Sequence, residues 1–129
     1  MHYPTYHDIL AARPLVSRYL PRTPVHHSPG LSHLLGCELL IKHENHLPTG
    51  AFKVRGGINF MASLGPAEKQ RGVITATRGN HGLSVAYAAW LFGAKAVLVV
   101  PHGNNPEKNA GMSALGAEVI EYGKDFDDA

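Results

Sequence analysis

Two short stretches carry the side chains best suited to chemistry. In Thr49-Gly50-Ala51-Phe52-Lys53 a lysine directly follows an aromatic residue. Thr49 can act as N-cap, and Ala51, Val54, Ile58 and Met61 recur at helical spacing toward Leu64, so Lys53 is expected in the first turn of a helix. A helix N-terminus carries partial positive charge and burial removes water. Both favour a neutral amine able to form a Schiff base with a carbonyl compound. The bland reading of the same residue is a surface cation. The second stretch, Thr77-Arg78-Gly79-Asn80-His81, lies where the strand GVITAT delivers its carboxyl end to a following helix. In open α/β sheets ligands bind outside the carboxyl ends of strands, and the free N–H groups of a helix's first turn suit an anion. Gly79 allows close backbone approach, while Thr77, Asn80 and His81 add side-chain donors. A carboxylate or phosphate would fit. An ordinary turn with Asn80 as helix cap is the competing reading.

The elements that must position these residues follow from punctuation and periodicity. Five of the nine prolines fall in the first 30 residues, which reads as an arm with one short helix from His7 to Ala12. LSHLLG suggests a short helix closed by Gly36, and ELLIKHE a buried strand. The turn LGP at 64–66 ends the lysine helix and marks an expected domain crossing. Beyond it, GVITAT, AKAVLVV and AEVIEY read as strands. HGLSVAYAAWLF, apolar on nearly every face, reads as a buried helix. Asn105, Pro106 and Glu107 supply cap, first position and first-turn acid for a further helix that Gly116 closes. Strands alternating with helices predict an α/β fold with open, mostly parallel sheets and helices on both faces.

Together the two stretches resemble one known family. IKHENHLPTGAFKVRGG is similar to the strand, turn and lysine helix of serine/threonine dehydratases, pyridoxal-phosphate (PLP) enzymes of fold type II. TATRGNHGLSVAYAAWLFGAKAVLVVP resembles their Ser-x-Gly-Asn-His loop and following helix. The resemblance runs from about Pro21 to Ala129 and includes Thr23-Pro24, Gly103 to Pro106 and LGAEVIEYG. It implies that Lys53 holds PLP as a Schiff base and acts as the base at the substrate Cα, that Phe52 packs against the pyridine ring, and that Asn80 donates to the ring 3′-oxygen. Thr77, Arg78, Gly79, Asn80 and His81 would surround the substrate carboxylate, with Glu44 and Arg55 as structural partners. The implied activity is that of an ammonia-lyase converting a 3-hydroxy amino acid to a 2-oxo acid and ammonia by β-elimination. Residues 1–65 would then be an arm and part of the larger PLP domain, and residues 66–129 the smaller α/β domain.

The sequence departs from the family pattern at Ala51, Thr77, Arg78 and Leu83, where serine, serine, a small residue and glutamine are usual. Arg78 adds a cation beside the carboxylate loop, which motivates a substrate with a second acidic group, such as 3-hydroxyaspartate. Leu83 has no interpretation. The family's glycine-rich phosphate loop and its partner for the pyridine nitrogen have no counterpart here, since Gly56-Gly57 lies in the lysine helix. The expectation is therefore an N-terminal portion of a longer enzyme, inactive alone and homodimeric when whole. A serine or aspartate racemase of the same family would use the same Lys53. A non-catalytic protein retaining the fold is the alternative from another class.

Composition narrows the rest. A chain of 129 residues, 44% hydrophobic, can bury roughly two-thirds of its unfolded surface. Twelve Lys and Arg against ten Asp and Glu, scattered rather than clustered, predict no nucleic-acid partner. No run approaches the roughly 18 apolar residues of a membrane span, and MHYPTYHDIL lacks a signal-peptide layout, so a cytoplasmic location is expected. The single cysteine, Cys37, is expected as a buried thiol. Neither the His26-His27 pair nor His43 and His46 completes a familiar closed metal site, and no metal is expected.

Overall fold

The computed structural model describes residues 3–129; Met1 and His2, which open the stretch read above for a signal, lie outside the described residues. In chain order the elements are α1 (Tyr6–Val16), β1 (Val25–His27), α2 (Pro29–Leu35), β2 (Leu40–Lys42), a 3-10 turn (Glu44–His46), α3 (Lys53–Ser63), α4 (Pro66–Arg71), β3 (Val73–Ala76), α5 (Asn80–Phe92), β4 (Ala96–Val100), α6 (Pro106–Ala114) and β5 (Glu118–Glu121). β3, β4 and β5 form a parallel sheet in that order, while β1 and β2 pair antiparallel as a separate ribbon. The fold class is α/β, as the alternation of strands and helices predicts.

Where local signals were strong, the elements lie where the sequence puts them. Asn105 caps α6 by accepting the Lys108 N–H at 3.0 Å. Gly36 and Gly93, with φ of 66° each, close α2 and α5 in the left-handed region that glycine enters without steric cost. α5 is buried along Gly82, Ser84, Val85, Ala86, Ala88 and Ala89, although Trp90 is exposed. Its small residues let α3 approach closely. Val54, Ile58 and Met61 of α3, each 0% exposed, share one core with Val85 and Ala88 of α5, Leu98 and Val100 of β4, and Met112 of α6. Gly57 is required there, because an added Cβ would fall on Ser84 Oγ and 2.7 Å from the Ser84 carbonyl oxygen.

The parallel sheet has α5 and α6 as its successive crossovers. Two consecutive right-handed crossovers moving in one direction across a sheet put both helices on the same side, and α5 and α6 touch. The register leaves Ile74 beside Val97, and Val99 beside Ile120, on the opposite face, where Ile74 is 71% exposed. ELLIKHE does contain a strand, but β2 is not buried: its partner β1, unforeseen in the proline-rich arm, pairs along its edge and leaves Leu40 58% exposed. Cys37 is exposed, because it follows the Gly36 turn and enters this uncovered ribbon. The arm's helix is longer than expected. Thr5 and Asp8 form a capping box at its start, and it runs through Pro14 to Val16. α4, absent from the sequence reading, fits between the 64–66 turn and β3. No helix among the described residues is long and apolar enough to cross a membrane.

Candidate active site

Lys53 is the first residue of α3, so the expected opening-turn placement holds, but the cap does not. Gly50 takes φ 67° and its N–H bonds the Leu47 carbonyl at 2.8 Å. That turn uses up residues 47–50 and moves the helix start past Thr49, which is buried with its hydroxyl directed to the Ala51 carbonyl at 3.4 Å. Phe52 occupies the cap position without a side-chain bond. The first turn of α3 is held instead from across the core, where the Ser84 hydroxyl donates to the Lys53 carbonyl at 2.6 Å. Ser84 and Gly57 thus fix where the lysine helix begins. No local pattern announced either role.

The second stretch is built around a buried hydroxyl. Thr77, 1% exposed, accepts the backbone N–H groups of Gly79 at 3.2 Å and Gly82 at 2.8 Å. It does the work assigned above to Asn80 in the competing reading, satisfying an orphan donor at the start of α5. Its own proton remains available to donate. Gly82 has no room for a side chain: a Cβ would fall on Met112 Sδ and 2.5 Å from Thr77 Cγ2. Asn80 is then free of capping duty. Its Oδ1 accepts from Lys108 Nζ of α6 at 2.9 Å. The His81 ring nitrogen Nε2 lies 3.2 Å from Thr75 Oγ1. Arg78 is exposed and has no hydrogen-bond or ion-pair partner among the described residues.

The two stretches meet. One cleft is lined by Phe52, Lys53, Gly56, Gly57 and Phe60 of the lysine segment together with Val73, Thr75, His81 and Ser84. A second, adjoining it at Lys53 and His81, is lined by Ala76, Thr77, Arg78, Gly79 and Asn80, with Lys108 and Phe126 from farther along the chain. The first is mainly apolar. The second gathers Lys53, Arg78 and Lys108 with no carboxylate in its lining, a charge balance suited to an anionic ligand. Lys53 and Phe52 are both exposed, so the desolvation expected around the amine is not supplied by the described residues. Phe52, Lys53, Thr77, Arg78, Gly79, Asn80 and His81 therefore border one of two contiguous clefts, whose linings also hold residues that sequence reasoning missed, Lys108 and Phe126 among them.

Glu44 and Arg55 form the structural pair expected of them. Arg55 Nε donates to Glu44 Oε2 at 2.7 Å and Nη2 to Oε1 at 3.0 Å, and the Thr23 hydroxyl donates to the same carboxylate. The fork geometry and charge of Arg55, aided by Thr23 and Lys42, hold the Glu44 carboxyl down at about 2, against a smaller opposing effect of burial. This pair ties the 3-10 turn after β2 to α3 two residues beyond Lys53.

Sequence and structural comparisons relate the chain to known proteins. A family described as pyridoxal-phosphate dependent enzyme matches residues 16–129. An L-threonine ammonia-lyase of Thermotoga maritima is 40% identical over 125 residues, covering 97% of this chain and 31% of the relative. An L-threo-3-hydroxyaspartate ammonia-lyase of Saccharomyces cerevisiae is 35% identical over 128 residues, covering 99% and 39% respectively. The structure of maize serine racemase superposes with a TM-score of 0.91 at 30% identity, covering 98% of this chain and 39% of that one. The chain thus spans 31% to 39% of the length of these relatives. With the lysine helix, the glycine-asparagine-histidine loop and the matched residues in accord, the chain belongs to the pyridoxal-phosphate dependent enzyme family.

Proposed function

We propose that the whole protein is a PLP-dependent ammonia-lyase that converts a 3-hydroxy amino acid to a 2-oxo acid and ammonia. The observation that carries this reading is the convergence of Lys53 with the Thr77–His81 loop on two clefts that share Lys53 and His81. The residues present fit the reactive end of the cofactor: an amine without an ion-pair partner among the described residues, an adjacent aromatic ring and a carboxamide. When bound, PLP supplies an electron sink for the electron pair left at Cα. Lys53 Nζ would hold the group until the substrate amine displaces it, and the freed amine would then take the Cα proton. Phe52 packs on the ring, and the Asn80 amide donates to the ring oxygen. The Thr77 hydroxyl, the backbone of Gly79 and the side chains of Asn80 and His81 bind the substrate carboxylate. Departure of the β-hydroxyl as water leaves an enamine, whose hydrolysis releases the 2-oxo acid and ammonia.

Arg78 sharpens the substrate class. An exposed guanidinium beside a carboxylate-binding loop supports a 3-hydroxy amino acid with a second carboxylate. The division near residue 65, into a part carrying the cofactor lysine and a smaller α/β part, belongs to the same reading, and the break at Leu64-Gly65-Pro66 between α3 and α4 supports it. A homodimer in the cytoplasm belongs to the same reading, that compartment being one where an exposed thiol such as Cys37 stays reduced.

The test is turnover of threonine, serine and 3-hydroxyaspartate by the whole protein, with the 2-oxo acid quantified and the enantiomer of unreacted substrate measured. Lys53→Ala is expected to lower kcat by about 10³-fold, and Arg78→Ala to lower kcat/KM for hydroxyaspartate by about tenfold more than for threonine. Inversion of the substrate without 2-oxo acid would replace this reading with a racemase. An equal effect of Arg78→Ala on both substrates would remove the dicarboxylate assignment.

A further inference from the structure

Lys108 stands in the first turn of α6, a place where a cation opposes the helix dipole and lowers helix stability. Its backbone N–H is taken by the Asn105 cap, and its aliphatic stem runs along Gly79, whose added Cβ would lie 3.7 Å from Lys108 Cγ. Those contacts direct its ammonium to Asn80 across the gap between α6 and α5, with Nζ 2.9 Å from Oδ1. An ammonium has three donors and no acceptor, so the Asn80 atom facing it must be the oxygen. The carboxamide is planar, and the NH2 end is therefore turned away from Lys108. Both side chains border the cleft that contains Lys53.

We propose that Lys108 is a positioning residue: it fixes the Asn80 carboxamide in the one orientation that presents its NH2, rather than its oxygen, to the anionic ring oxygen of the cofactor. This rests on the reading above in which Asn80 contacts that oxygen. Without Lys108 the amide is free to turn, and the wrong orientation sets one acceptor against another. The helix tolerates an ill-placed cation because the charge serves the site.

A double-mutant cycle on cofactor binding by the whole protein tests this, using Lys108→Met, Asn80→Ala and the pair, with PLP dissociation constants and the visible absorption band as readouts. Lys108→Met is expected to weaken PLP binding about tenfold and shift the band when Asn80 is present, and to change binding less than about twofold when Asn80 is alanine. Lys108→Arg is expected to restore most of the loss. Equal effects of Lys108→Met in both backgrounds would overturn the proposal while leaving the role of Asn80 intact. No effect of Asn80→Ala alone would remove that role, and the proposal with it. Thermal unfolding of Lys108→Met is expected at or above the parent temperature. Were that variant to unfold, Lys108→Gln, which keeps a donor without the charge, carries the same cycle with an intermediate loss expected and additivity as the contrary result.

Discussion

The junction of β3 with α5 and the ribbon of β1 with β2 both rest on strands of only three or four residues, yet they are held in different ways. At the junction, Thr77, Gly82 and Met112 come from a strand end, a helix start and a neighbouring helix, and they touch with no room for another methyl. In the ribbon, every residue of β1 is exposed and Leu40 of β2 presents its side chain to solvent. Among the described residues, the cluster of Glu44, Arg55 and Thr23 ties the ribbon's end to α3 by side-chain polar bonds. Position in the site is set by the packed junction, while the ribbon's link to the lysine helix is electrostatic and so open to pH.

The largest effect expected is at the junction. Gly82→Ala should destabilise the protein by about 3 kcal/mol, since the new methyl meets both Met112 Sδ and Thr77 Cγ2 inside the core and at least one of them must move. Denaturant titration measures this, and a loss below about 1 kcal/mol would mean the junction is looser than its contacts indicate. Thr77→Val keeps the shape but leaves the Gly79 and Gly82 N–H groups without their acceptor, for an expected cost of about 2 kcal/mol. An unchanged midpoint would show that those amides find another partner. Leu40→Ala in the ribbon should change stability by less than about 0.5 kcal/mol, and a cost as large as that of Thr77→Val would erase the contrast.

The electrostatic link predicts a pH signature. The folded-state Glu44 carboxyl titrates at about 2, below its ordinary value of 4.5, so its contribution to stability is complete above about 4.5 and is lost as pH falls toward 2. Glu44→Gln should therefore be less stable than the parent at neutral pH, with the two converging as the pH approaches 2. Parallel stability curves across that window would show that Glu44 is not held by Arg55 in solution.

The same contrast explains what the sequence disclosed. β3, α5, β4, α6 and β5 were legible because apolar periodicity, caps and glycine closures all agree there. Lys53 and the 77–81 loop stood out because unusual residue types fall at element boundaries. Tertiary relations were hidden. Gly57 reads as a helix weakness until Ser84 is seen against it, and Lys108 reads as an ordinary first-turn lysine until α6 is brought beside α5. Cys37 and Leu40 were misread because apolar content was taken for burial, when both are exposed and no layer of the described residues covers the ribbon.

The most direct measurement is borohydride reduction of the PLP-loaded whole protein followed by peptide mass mapping. A single reduced cofactor adduct is expected on the peptide containing Phe52 and Lys53, absent in Lys53→Ala. An adduct confined to another lysine, such as Lys108, or no adduct on a protein whose visible band shows bound cofactor, would contradict the assignment of Lys53.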